Sequence, residues 1–278
     1  MLKEPEAVRI THLFPELLAN LLALLGDLPA EAWARPTACP GWTVKDVATH
    51  LLGSDVGILS RRRDGYTPSG RRIEGWQELV ALINRLNAEW VTATRRLSPR
   101  LLVNLLQVTG EQVTAYFHTL DPVAMGDPVS WAGPDPAPVW LDLAREYTER
   151  WLHQQHIRLA VEQPVLTARR YLEPVLATFV HALPRAYRDA PAIPGTAVRV
   201  EIGGEAGGSW TVRREDNGWK LYAGQDEQRA ASTVRLPAGV AWRLFTKGME
   251  PDAAVAKIEI SGDQVLGGRV LEAVAIIA

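Results

Sequence analysis

Apolar side chains recur every three to four residues through roughly the first 160 residues of this chain and at alternate positions beyond about Arg169. This change of period constrains the fold most, because a helix-period pattern cannot bury one face of a strand, nor the reverse. From Glu6 to Leu25, the residues Val8, Ile10, Leu13, Leu17, Leu18, Leu21 and Leu24 share helical spacing. Thr43 with Asp46 three residues on reads as an N-cap with an acidic partner, and opens a helix through Val44, Val47, Leu51 and Leu52 to about Ser60. Ile73 to Leu97 is helical in pattern through Trp76, Leu79, Val80, Ile83, Leu86 and Trp90. Ser98-Pro99 starts another helix towards Leu120, stopped by Asp121-Pro122, and a last long one runs from about Val139 to Val161. The expected architecture for residues 1–165 is an up-and-down helical bundle with one small extra helix.

The remainder, residues 166–278, reads as a smaller α+β domain. A helix from Tyr171 to Leu183 precedes strand-like runs at Val198–Ile202, Trp210–Arg213 and Trp219–Tyr222. The last two runs flank Asn217-Gly218, a strong hairpin signal. Thr233–Leu236 and Ile258–Ile260 are further strand candidates, with a helix through Val240, Trp242, Leu244 and Phe245 between them and an apolar helix expected from Val265 to Ile277.

Composition excludes several classes. At 47% apolar and 22% charged residues the chain is an ordinary packed globule, and its net charge of −2 provides no field to draw in nucleic acid or an anionic membrane. Leu13–Leu28, the richest apolar stretch, is interrupted by Pro15, Glu16, Asn20 and Asp27 and cannot span a bilayer, and the N-terminus lacks the apolar stretch of a signal peptide. Cys39 is the only cysteine, so no internal disulfide can form. The expectation is a cytoplasmic protein with no nucleic-acid or membrane partner.

Glu149, His153 and His156 fall within about 60° of arc on one helical face. Inward-pointing ligands on bundle helices are a common way to build a metal site, and His50 lies beside the apolar stripe of its own helix. Two imidazoles and one carboxylate with a vacant fourth position match a catalytic zinc site. A Glu-x-x-x-His pair is also common on solvated faces, and a histidine beside apolar residues is often a hydrogen-bonded core group, so spacing leaves both readings open.

The stretch Cys39-Pro40-Gly41-Trp42-Thr43-Val44-Lys45-Asp46-Val47-Ala48-Thr49-His50-Leu51-Leu52-Gly53 resembles the N-terminal signature of the mycothiol-dependent maleylpyruvate isomerase family, and Thr148–Arg158 is similar to its second signature. Gly262–Leu266 and the Ala273–Ala278 ending extend the resemblance to nearly the whole chain. It implies a DinB-like metal-binding four-helix bundle followed by a domain like the sterol carrier fold. It places metal ligands on His50, Glu149 and His153, with His156 as a variable neighbour or spare ligand. It further implies a divalent metal, zinc foremost, and a low-molecular-weight thiol such as mycothiol. The thiolate would add to a conjugated double bond of a small, unsaturated acid, the single bond would rotate, and the thiol would leave. The activity so implied is that of an isomerase or S-transferase. The alternatives are a non-catalytic metal- and small-molecule-binding protein and a metal-hydroxide hydrolase.

Other residues carry two readings each. Cys39 before Pro40 reads as a small buried side chain rather than a nucleophile. Arg61, Arg62, Arg63, Arg71 and Arg72 read as a solvated loop that could also hold carboxylates. The stretch Asp121–Pro138, with five prolines and two glycines, could close over a metal or pack over the bundle end. Gly203–Gly208 reads as a hairpin connection, and Trp210 and Trp219 as possible walls of a C-terminal cavity.

Overall fold

The computed structural model describes residues 2–66, 75–133, 135–224 and 230–276. Arg71, Arg72, the expected helix start at Ile73, and Ile277 lie outside them. The chain divides into two compact units. A helical unit comprises Ile10–Asp121 with Glu146–Leu166, and a sheet-bearing unit comprises Pro122–Arg145 and the chain from Thr167 onward, joined by the N-terminal residues up to Arg9.

The helical unit opens with α1 (Phe14–Gly26) and α2 (Val44–Ile58), followed by α3 (Trp76–Thr94) and α4 (Pro99–His118). Helix α5 (Val139–Ala160) contributes its C-terminal part to this unit. α1 is shorter than the pattern from Glu6 suggests, because Pro15 is tolerated only in the first turn of a helix. α2 starts where the capping box requires. The Thr43 hydroxyl accepts from the Asp46 N–H while Asp46 accepts from the Thr43 N–H, a cap that contributes about 1 kcal/mol. Arg61–Arg63 prolong α2 as a π-helical turn, Leu59–Arg63, instead of starting a loop.

α2 packs on α3 and α4, and α1 packs on α4, around a core that includes Leu21, Leu25, Val47, Leu51, Leu106 and Ile157. α3 approaches α2 closely at Gly53, where an added Cβ would lie 2.7 Å from the Trp90 ring. The indole N–H of Trp90 donates to the Thr49 carbonyl at 2.7 Å, which pins the turn of α2 that carries His50.

This unit also buries an ionic cluster. Arg150 on α5 donates to Asp55 of α2 and to Glu146 one turn back, each at 2.7 Å, and its guanidinium lies 5.9 Å from the Phe14 and Phe117 ring centroids alike. Thr109 donates to the other Asp55 oxygen at 3.0 Å. Burial raises the Asp55 pKa even though Arg150 and Thr109 oppose the shift.

In the sheet-bearing unit α6 (Arg169–Phe179) leads through a 3-10 turn into α7 (Leu183–Ala186), so Pro184 opens a short helix where a stop was expected. Five strands follow the sequence pattern: β1 (Ala197–Gly203), β2 (Gly208–Glu215), β3 (Gly218–Ala223), β4 (Ser232–Pro237) and β5 (Glu259–Gly262). They form one mixed sheet in the order β3-β2-β1-β4-β5, in which only the β1–β4 pair is parallel. Helices α8 (Ala238–Phe245) and α9 (Pro251–Val255) connect β4 to β5, as the parallel β1–β4 pairing leaves β5 to return antiparallel. The expected terminal helix Val265–Ile277 is cut down to α10 (Gln264–Gly268) and a 3-10 turn to Glu272, its start capped by the Asp263 carboxylate and its run weakened by Gly267 and Gly268.

Trp219 is buried in this unit, tilted against Tyr187 with centroids 5.1 Å apart. Trp131 is likewise fully buried, and Pro122–Pro138 is assigned to this unit, where the Arg185 guanidinium donates to the Ser130 carbonyl.

His181 packs edge-on against Trp140, with its Nε2 sealed from solvent and without a hydrogen-bond partner among the described residues. Burial lowers its pKa from 6.5 to about 4. Between these values the unfolded chain takes up a proton that the folded chain refuses, so the stabilisation is complete above pH 6.5 and is lost as pH falls towards 4. The expected loss is about 3 kcal/mol. Urea unfolding at a series of pH values should show this limb in the wild type and a flatter one in His181→Phe. An unchanged slope in the variant would refute the assignment.

Candidate metal centre

His50 projects from the middle of α2, and Glu149 and His153 from one face of α5. The structure brings all three together, with donor atoms within 4.8 Å of one another. His50 Nε2 and His153 Nε2 lie 3.1 Å and 3.0 Å from the same oxygen, Glu149 Oε1. His50 is buried, His153 nearly so, and Glu149 half-buried. The Trp42 indole covers one side, its ring centroid 5.0 Å from that of His50 and 6.5 Å from that of His153.

Burial lowers the His50 pKa, so His50 is neutral and donates Nε2–H to Glu149. Burial works against both charges in the next pair, but the mutual attraction of Glu149 and His153 prevails. Glu149 stays well below its ordinary value and His153 rises to about 10. One carboxylate thus faces one imidazolium and one neutral imidazole.

Donors around a tetrahedral zinc at about 2.0–2.1 Å lie about 3.3–3.4 Å apart, slightly more than the separations here. The donor set is nitrogen, nitrogen and carboxylate oxygen, which suits zinc and other borderline divalent ions. The residues therefore fit a divalent metal: its charge would replace the His153 proton, and the two nitrogen–oxygen separations would need to widen by only a few tenths of an ångström.

The sequence reading missed one neighbour. Cys39 is half-buried, and its Sγ lies 3.1 Å from His156 Nδ1 and 3.9 Å from His153 Nδ1. It is thus no inert core thiol. Burial opposes ionisation, but the two histidines, by hydrogen bonding and then by charge, bring its pKa down to about 6. The local signal was limited to Pro40-Gly41, a turn dipeptide that fixes where the backbone reverses and not what the Cys39 side chain meets. The partners, 114 and 117 residues away, were not legible locally. His156 falls with Cys39 and not with the His50, Glu149 and His153 set.

The helical unit thus carries a converging His, Glu and His donor set, and the other unit is built on a five-stranded mixed sheet. Residues 14–158, 145 of the chain's 278, match the mycothiol maleylpyruvate isomerase N-terminal domain, and the chain belongs to that family. Two uncharacterised proteins of Mycobacterium tuberculosis, one from strain CDC 1551 / Oshkosh and one from strain H37Rv, are each 27% identical over 233 residues, 79% of this chain and 85% of theirs. Among solved structures, the mycothiol-dependent maleylpyruvate isomerase and a point mutant of it match with TM-scores of 0.48, at 14% and 12% identity, over 84% of this chain and 86% of theirs. Among the described residues no helix is long and apolar enough to cross a membrane.

Proposed function

We propose that this protein is a metal-dependent enzyme that uses a low-molecular-weight thiol such as mycothiol, acting as an isomerase or S-transferase on a small unsaturated acid. The observation that carries the reading is the convergence of His50, Glu149 and His153 in a member of this family. His50 and His153 would present neutral Nε2 donors, and Glu149 would add the negative charge that holds a cation. A divalent ion held there, zinc foremost, would supply positive charge that favours ionisation of a coordinating thiol. Three protein donors leave a tetrahedral set one position short, the arrangement of catalytic rather than structural sites, and His156 is engaged by Cys39 rather than by Glu149.

The family match over residues 14–158 supports reading the helical unit as a DinB-like four-helix bundle, while the sterol-carrier-like reading of the C-terminal part, residues 166–278, and the cytoplasmic location rest on the sequence resemblance.

Ionisation contributes little by itself. A free thiol of pKa near 8.5 is about 3% ionised at neutral pH, so complete ionisation gains at most about thirtyfold, and nucleophilicity falls as thiol pKa falls. The larger share must come from holding thiol and substrate in contact. Trp42 serves this by shielding one side of the cluster from water.

The test is a titration of cobalt-substituted protein with mycothiol, bacillithiol, glutathione and cysteine. It is run on Cys39→Ser so that any sulfur-to-cobalt band reports the added thiol. A band is expected with at least one of them. If no thiol binds, the thiol-transfer reading fails and a metal-hydroxide hydrolase becomes the better enzyme hypothesis.

A further inference from the structure

We infer that Cys39, His153 and His156 form a second metal site, selective for thiophilic ions, that competes with the first for His153. The three donor atoms lie within 4.8 Å of one another. In a tetrahedral thiolate–imidazole site, with sulfur at about 2.3 Å and nitrogen at about 2.0–2.1 Å from the ion, sulfur and nitrogen lie about 3.5 Å apart. The observed separations from Cys39 Sγ, 3.1 Å to His156 Nδ1 and 3.9 Å to His153 Nδ1, bracket that value.

The backbone holds the thiol in place. Trp42 N–H donates to the Cys39 carbonyl at 3.0 Å, closing a turn with Pro40 and Gly41 at its centre. Gly41 has φ +77°, the left-handed value that a type II turn demands at its third position, and Pro40 suits the second. The Cys39 N–H is held by the Thr37 hydroxyl at 3.2 Å, and Thr37 is tied in turn to the Trp42 carbonyl. On the other side, His153 and His156 sit three residues apart on one face of α5. A rigid turn therefore faces a rigid helix across the space the donors enclose.

His153 belongs to both sets through opposite ring nitrogens, Nε2 towards Glu149 and Nδ1 towards Cys39. A neutral imidazole has one free lone pair, so it serves one ion at a time. An ion on the Glu149 side requires Nδ1–H, which then points at the Cys39 sulfur. An ion on the Cys39 side requires Nε2–H, which then donates to Glu149. Binding there takes the Cys39 sulfur as the thiolate and needs the His153 Nδ1 lone pair, so any proton on the sulfur and the proton on Nδ1 leave to solvent. One sulfur and two imidazoles prefer cadmium, copper(I) or zinc, whereas the two imidazoles and carboxylate of the first set suit zinc and harder divalent ions.

Cadmium is the probe. Titrated into the purified metal-free chain, it should produce an ultraviolet sulfur-to-cadmium charge-transfer band that saturates at about one ion per chain. Cys39→Ser should abolish the band, His156→Gln should weaken cadmium binding by at least about tenfold, and His50→Ala should retain the band, with far-UV circular dichroism confirming that each variant is folded. Zinc supplied in excess should suppress the band, by capturing His153 at the first site or by replacing cadmium at the sulfur. No band in the wild type overturns the inference. A band lost in folded His50→Ala also overturns it, because Cys39 would then be closing the first site. Zinc retention in Cys39→Ser tests the first site separately, so failure of one reading is distinguishable from failure of the other.

Discussion

Arg150→Ala should destabilise the helical unit by about 3–5 kcal/mol, the cost of removing one partner from a buried ionic cluster. Asp55 and Glu146 are almost fully shielded, with side chains 6% and 7% exposed, and Arg150 provides the short charged contact to each. Without it, two carboxylates share a pocket walled by Phe14 and Phe117, and they must take up protons or draw in water. Denaturant unfolding followed by far-UV circular dichroism measures the loss. The triple variant Asp55→Asn, Glu146→Gln, Arg150→Met should recover most of it, since removing a whole buried cluster costs far less than breaking it. A single variant as stable as the wild type would show that the cluster is not closed to water.

His50→Ala should reduce affinity for the divalent ion by more than the roughly 10–100-fold lost when only a ligand's outer partner is removed. The helices should survive, because the core around α2 is formed by Val44, Val47, Leu51 and Leu52, all essentially buried. Glu149→Gln should act in the same direction, as it preserves shape and removes the charge that offsets the ion. Elemental analysis of protein never exposed to chelator gives the occupancy, with about one ion per chain expected for the wild type. Helix lost together with the metal would mark the ion as structural and favour the binding-protein alternative. No metal in the wild type would dismiss the site.

Much of the fold was legible because local chemistry and tertiary demand agree. The Thr43–Asp46 capping box starts α2, and Val198–Ile202 alternates because β1 has a buried face. Glu215 pairs with Gly218 across the expected turn. Misreadings occurred where period and backbone chemistry conflict. Apolar spacing from Glu6 runs through Pro15, which the helix accepts only in its first turn, and the apolar ending after Val265 contains two glycines. At the site, Glu149 and His153 share a helix and announce themselves by spacing. His50 needed the family resemblance to join them, since 99 residues separate it from Glu149. Cys39 and the Asp55–Arg150 pair depend on contacts across comparable distances in sequence, and no periodicity encodes those.

Trp42 makes the centre optically addressable. An excited indole is quenched by electron transfer to an adjacent imidazolium, and its ring lies against both His50 and His153. Exchanging the His153 proton for a closed-shell ion alters that quenching path, whereas a paramagnetic ion shortens the excited-state lifetime by its own route. The emission difference between the wild type and Trp42→Phe separates this reporter from the rest of the ten tryptophans. Arrival of an ion at the proposed site would therefore be timed on the unlabelled chain, in the presence of any thiol or acid that does not absorb with indole.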